Sequence, residues 1–118
     1  MIQRGDVVLV RFPYAAGTGA KFRPDLVVQG DKNNRRLHNT IVAAISSNIR
    51  LATTEASQLL IDPTTSDGRS SGLLQPSAVK CEGLFTVAQS EIKRTIGRLP
   101  DTMMRRVDEC LKSALGIA

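Results

Sequence analysis

Tryptophan is absent from this chain, tyrosine occurs once and phenylalanine three times. The core must therefore be aliphatic, and any aromatic platform rests on four rings. Cysteine occurs only at Cys81 and Cys110 and histidine only at His38, none of them in a metal-spaced pair, so no zinc site or other metal site is expected. A single histidine and the lack of a glycine-flanked serine elbow also argue against a serine nucleophile. No stretch approaches the roughly 20 apolar residues that span a bilayer. The opening Met1-Ile2-Gln3-Arg4-Gly5-Asp6 has no apolar signal core. The expected setting is the cytoplasm, with reduced thiols and no membrane attachment. Repeats and linkers are lacking too, and 118 residues suffice for one core, so residues 1–118 are expected to form a single domain with one site.

What is present is basic charge. Sixteen Lys and Arg against eleven Asp and Glu give a formal charge of +5, which raises the local concentration of polyanions without choosing among them. The cations are scattered along the chain and form no terminal run, so a folded groove is a better reading than a disordered basic arm.

Asp6 to Pro13 reads as a first strand, because Val7, Val8, Leu9, Val10 and Phe12 make a short apolar run. Its exit is an uncharged loop from Tyr14 to Ala20 with two glycines. Pro24 to Gln29 makes a second strand, and Gly30-Asp31-Lys32-Asn33-Asn34 is a cluster of turn formers. Thr40 to Ile45 is apolar on both faces and should be central. A short strand at Gln58 to Ile61, a polar loop from Asp62 to Gly72, and one or two strands within Ala78 to Val87 follow. The period then changes. A helical turn is expected at Ser90 to Arg94, with Thr95 to Leu99 as a connector. Beyond it, Met103, Met104, Val107, Cys110, Leu111, Ala114 and Leu115 recur at helical spacing. That helix is entered through Pro100-Asp101, with Asp101 as its N-cap, and stops near Gly116. The class is mainly β with a C-terminal helix, most simply a small barrel with the helix packed on it.

Three places could carry chemistry. Arg23 stands between the glycine loop and a stiff strand, and Pro24 biases it toward extended geometry, so its guanidinium could hold a phosphate with two parallel hydrogen bonds. A solvated surface arginine is the competing reading. Ser46, Ser47 and Asn48 follow directly on the central strand, which would deliver hydroxyls and an amide to a phosphate or ribose, or would simply turn the chain. Lys80 and Glu82 flank Cys81, and on an extended segment they share a face as an acid and base or as a plain ion pair. His38 reads as a loop residue. Tyr14, Phe22 and Phe85 could stack a splayed base or fill core.

Taken in order, several segments resemble the MazF/PemK family of toxin-antitoxin toxins. They are Arg4-Gly5-Asp6-Val7, Arg23-Pro24 with Leu26-Val27-Val28, Thr40 to Ser46, Ser77 with Val79, Thr86-Val87, Ile96-Gly97-Arg98-Leu99, Met103-Met104, Val107-Asp108-Glu109 and Leu111-Lys112. The resemblance implies an SH3-like barrel with a C-terminal helix, a homodimer whose RNA groove lies at or near the subunit interface, and an acidic antitoxin as partner. It also implies a metal-independent endoribonuclease without cofactors that cuts single-stranded RNA by attack of the ribose 2′-hydroxyl, leaving 2′,3′-cyclic phosphate and 5′-hydroxyl ends. The family's arginine falls on Arg23, and its Thr or Ser after the central strand falls on Ser46. In the PemK branch an arginine, a spacer, an aspartate and a glutamine fall on Lys80, Cys81, Glu82 and Gly83. Glu82 would then be the base and Lys80 its cationic partner or the acid. Lys21, Phe22, Ser47, Asn48 and Tyr14 complete the RNA-binding set.

This chain departs from the family pattern at Lys80, Glu82, Gly83 and Phe85. Those departures open a second possibility, a module that binds RNA or antitoxin with weakened cutting. A third is a protein-binding poison like the gyrase-directed CcdB toxins. Those rely on a terminal tryptophan, glycine and isoleucine, whereas this chain ends Leu115-Gly116-Ile117-Ala118.

Overall fold

Val7 and Val8 point to opposite sides of one strand and both are fully buried, so the sheet carries an apolar layer on each face. The computed structural model describes residues 1–13 and 19–118. Strands β1 (Asp6–Pro13), β2 (Ala20–Val27), β3 (Asn39–Ser46), β4 (Gln58–Ile61), β5 (Ser77–Ala88) and β6 (Ile92–Arg98) form one antiparallel sheet in the order β4-β5-β3-β2-β1-β6. Helices α1 (Asp31–Arg36), α2 (Ser66–Arg69) and α3 (Asp101–Leu115) complete the order of elements. The expected class holds, mainly β with a C-terminal helix. Among the described residues its strands do not close into a full barrel, because β4 and β6 are the two edges of the sheet.

One apolar layer joins Val7, Leu26, Ala43, Leu59, Ile61, Val79 and Cys81 to Met103, Met104, Val107 and Cys110 of α3, so the helical stripe covers one face of the sheet. The other joins Val8, Val10, Val27 and Val42, with Ile2, Phe12, Val87 and Ile92 packed around them. Two layers explain why β3 is apolar on both faces and sits inside the sheet.

Arg4-Gly5-Asp6 is a structural clasp at the base of this arrangement. The Arg4 backbone N–H donates to Asp31 at 2.7 Å, its Nε donates to the Val28 carbonyl at 2.9 Å, and its guanidinium donates to Asp108 of α3 at 2.6 Å. Asp6 in turn accepts from Arg98 at 3.0 Å.

Several boundaries differ from the sequence reading. β2 begins at Ala20 and ends at Val27, because its pairing with β1 runs out to Pro13 opposite Ala20. The segment read as a helical turn and connector is a 3-10 turn at Gln89–Glu91 followed by β6, which pairs with the edge of β1 that β2 leaves open. The turn formers after Gly30 include α1, where the buried Asn34 accepts from Gln29 at 2.9 Å and Thr40 at 2.7 Å. The polar loop holds α2, capped by Thr65 through the Gly68 N–H. At α3, Pro100 occupies the N-cap and Asp101 is the first helical residue, where its charge meets the positive end of the helix dipole. Gly116 ends the helix in the left-handed conformation, φ 69°, as its position in the sequence indicates.

Candidate functional site

Asp25 pairs with Ala44 across β2 and β3, and directly paired residues of an antiparallel ladder share a face. Alternation puts Arg23 on the Asp25 face of β2 and Ser46 on the Ala44 face of β3. Both lie two residues beyond the last β2–β3 pair, Asp25 with Ala44, at the same end of the two antiparallel strands. All four residues line a cleft of about 820 Å³, together with Lys21, Phe22, Pro24, Ser47, Phe12, Phe85 and Arg94.

The opposite wall is the segment Gly72-Leu73-Leu74-Gln75 with Ser77. Two glycines seat that wall on β6. A Cβ on Gly97 would lie 2.2 Å from the backbone of Ser71, and one on Gly72, whose φ is +75°, would lie 2.0 Å from the Ile96 carbonyl oxygen. The close approach lets the Arg98 N–H donate to the Ser70 carbonyl at 2.8 Å, while the Ser70 hydroxyl donates to the Arg98 carbonyl at 2.7 Å.

Arg23 is exposed, and its Cζ stands 5.8 Å from the centre of the Phe12 ring. Phe12 is itself met edge-on by Phe85, with centroids 6.1 Å apart. Cation–π attraction thus props the guanidinium at the mouth of the cleft without occupying its hydrogen-bond donors. Phe22 is 40 % exposed with Lys93 Nζ 4.6 Å above its ring, and Phe85 is 45 % exposed, so two aromatic surfaces stand open beside the cations. Ser46 Oγ accepts from the Asn48 N–H at 3.1 Å. The serine therefore turns the chain and lines the cleft at once, and its hydroxyl hydrogen is left to donate.

Asp25 is the group that sequence reading passed over. It is 3 % exposed, and its Oδ2 has no hydrogen-bond partner among the described residues. Burial pushes its carboxyl up to about 7, against the opposing pull of the Ile45 N–H and the Arg23 charge. A carboxylic acid that titrates near neutrality at the wall of a cleft is suited to moving protons.

A model of the PemK-like, MazF-like toxin of type II toxin-antitoxin systems matches residues 3–115. The chain belongs to this family. It is 30 % identical to endoribonuclease EndoA of Bacillus subtilis over 118 residues, 99 % of this chain and 97 % of the relative. It is 32 % identical to a probable endoribonuclease MazF of Mycolicibacterium smegmatis over 122 residues, 99 % of each. Among solved structures, an endoribonuclease in complex with its cognate antitoxin from a mycobacterial species superposes with a TM-score of 0.75, covering 100 % of this chain and 98 % of that one at 19 % identity, which supports the fold.

Against the resemblance to the MazF/PemK toxins, the cleft unites Arg23, Ser46, Lys21, Phe22 and Ser47 and leaves three other site candidates outside it. Lys80 and Glu82 are on β5, where the β3–β5 register shifts between Ala43 and Ala44 so that Leu84 and Lys80 pair with consecutive residues. Glu82 is drawn toward the start of β4, accepting from Gln58 Nε2 at 2.7 Å and Ser57 Oγ at 3.2 Å. Burial pushes its carboxyl up, but bonds from its own backbone N–H, Gln58 and Ser57, with the Lys80 charge, outweigh it and hold it below the ordinary range. Asn48 does not line the cleft; its Oδ1 accepts from the Arg50 N–H at 3.2 Å. Tyr14 lies outside the described residues. His38 meets Gln89 through its backbone carbonyl. Cys81 and Cys110 are free and buried, and burial pushes the Cys81 thiol up to about 12 and the Cys110 thiol upward, which makes both inert packing groups of this toxin-family core. Among the described residues no helix is long and apolar enough to cross a membrane.

Proposed function

We propose that this chain, as a single toxin domain over residues 1–118, is the toxin of a toxin-antitoxin pair and an endoribonuclease that cuts single-stranded RNA. The observation that carries the reading is the meeting of Arg23 and Ser46 on adjacent strands at one cationic cleft, in a chain that matches the family over nearly its whole length. The reaction is attack of the ribose 2′-hydroxyl on the adjacent phosphate, giving a 2′,3′-cyclic phosphate and a 5′-hydroxyl end, with no metal and no cofactor. It needs charge stabilisation at phosphorus and a path for protons. Arg23 supplies the charge through its guanidinium fork, and Ser46 positions the phosphate through its free hydroxyl hydrogen. Lys21 and Ser47 follow the RNA backbone, and Phe22 offers a stacking surface for a base. The net charge of +5 suits RNA and an acidic antitoxin alike, so the two would compete for one face. A homodimer in the cytoplasm completes the reading.

Purified protein incubated with single-stranded RNA in EDTA is expected to yield fragments with cyclic-phosphate and 5′-hydroxyl ends. Intact RNA, or fragments only when magnesium is added, would sink the proposal. The held-down, hydrogen-bonded Glu82 is a poor base for this chemistry. Glu82→Gln is accordingly expected to change the cleavage rate by less than about threefold, against the roughly 10²–10⁴-fold loss that follows removal of a working general base. End-labelled RNA assayed at pH 7 distinguishes the two.

A further inference from the structure

The cleft wall contains a buried carboxyl group that the fold ties down only in part, through the Ile45 N–H. Asp25 is buried between the Val8 and Ala44 positions of its neighbouring strands, in an apolar layer that offers it little, and one of its two oxygens is unpartnered among the described residues. An unpaired buried carboxylate weakens a fold, and its retention at the wall of a cleft asks for a use. Ala44 opposite it carries only a methyl group and offers the carboxyl no polar partner, and both residues line the cleft. Arg23 and Ser46, the phosphate-binding pair, are one pleat away on the same face.

We propose that Asp25 is the general base of the cleavage reaction, accepting the proton of the attacking ribose 2′-hydroxyl. The inference rests on the RNA-cleavage reading above and assigns to Asp25 the role that the family resemblance gave to Glu82. In the step, the O2′–H bond breaks and its proton passes to the Asp25 carboxylate. O2′ forms a bond to phosphorus as the P–O5′ bond breaks, and the departing O5′ takes a proton from water in the open cleft. The Asp25 carboxylic acid then returns its proton to the hydroxide left behind, so no water is consumed and the aspartate is ready for another turn. Arg23 answers the charge on phosphorus throughout.

The charged groups around Asp25 are Lys21 and Arg23 on its own strand, Lys80 across Ala44 on β5, and Arg94 of β6 at the cleft, while β1 and β3 present the uncharged Val8 and Ala44. Burial outweighs the Ile45 N–H and the Arg23 charge and sets the carboxyl at about 7. At that value roughly half the molecules hold a ready base at neutral pH, the condition under which general-base catalysis is most effective.

The test compares the full-length wild type with Asp25→Asn and Asp25→Glu on single-stranded RNA from pH 5 to 9. The wild-type kcat/KM is expected to rise through a limb near pH 7. Asp25→Asn should lose that limb and cut about 10²–10⁴-fold more slowly. Its affinity for a 2′-O-methyl oligonucleotide, which cannot react, should stay within about threefold, since a base that is not a phosphate ligand adds little to binding. Asp25→Glu should recover part of the rate and restore a limb. If Asp25→Asn keeps both rate and limb while the wild type cuts normally, Asp25 is not the base and the RNA-cleavage reading survives. If the wild type does not cut, both fall together. Carbon-13 titration of the wild-type Asp25 carboxyl gives a check independent of any variant: a midpoint near 7 supports the role and one near 4 overturns it.

Discussion

Arg23→Ala is expected to lower the RNA cleavage rate by roughly 10²–10³-fold, the loss that follows removal of one donor aimed at transition-state charge. The same change should cost less than about 1 kcal/mol of stability, because what Arg23 gives the fold is a cation–π contact with Phe12. It is exposed and makes no ion pair among the described residues. Activity and stability therefore separate at this position, as they do where a side chain is aimed at a ligand and not at the core. Arg23→Lys should restore part of the rate, since it keeps the charge and loses the two-donor fork. A second effect follows from the neighbour. The Arg23 charge holds the Asp25 carboxyl down, so whatever activity Arg23→Ala retains should show its ascending limb displaced to higher pH. Single-turnover cleavage with end-labelled RNA across pH reads both. An unchanged rate in the alanine variant would remove Arg23 from the site.

Some of this architecture is legible in the chain because it is local. The apolar run from Val7 to Phe12 specifies β1 to the residue, and β4 likewise, since both are short runs bounded by polar or turn-forming neighbours. The helix stripe from Met103 to Leu115 and the stop at Gly116 are equally plain. Elements defined by distant partners are not. β6 exists because β1 has an open edge, and its two register shifts blur the alternation that would mark a strand. α1 is six residues held by Asn34 hydrogen bonds to Gln29 and Thr40, which no window of sequence displays. The same division runs through the site. Arg23 and Ser46 are marked by proline, glycine and the end of a buried strand, whereas the fate of Glu82 is decided by Ser57 and Gln58, some 25 residues away in the chain. Asp25 did leave a signal: a lone carboxylate between Pro24 and the apolar Leu26-Val27-Val28, where burial is costly unless the charge has work to do.

That cost gives the second large expectation, a stability that falls as the pH rises through the physiological range. An aspartate whose folded value lies at about 7 against an ordinary 3.8 binds its proton more tightly in the folded chain. Between those values the folded state holds a proton that the unfolded state releases, so stability declines as pH increases across the window and levels off above it. The full difference corresponds to about 4 kcal/mol at roughly 1.4 kcal/mol per pH unit, a large share of the 5–15 kcal/mol typical of a domain this size. Asp31, Asp62 and Glu82, all held below their ordinary range, act in the opposite sense, and their contributions are lost as the pH falls below about 4. Those groups are common to the wild type and Asp25→Asn, so the difference between the two unfolding curves isolates Asp25. Asparagine resembles the protonated acid, and the two proteins should be nearly equally stable at pH 4. At pH 8 the variant should be the more stable by up to about 4 kcal/mol, read as a higher urea midpoint with an unchanged slope. A difference that does not vary with pH would show the carboxyl to be hydrated and ordinary, and would take with it the physical basis for its role as a base. If the gap opens as the pH rises while cleavage is lost, then one carboxylate weakens the fold at the pH where it works, which is the trade between stability and activity expected of a catalytic group held out of water.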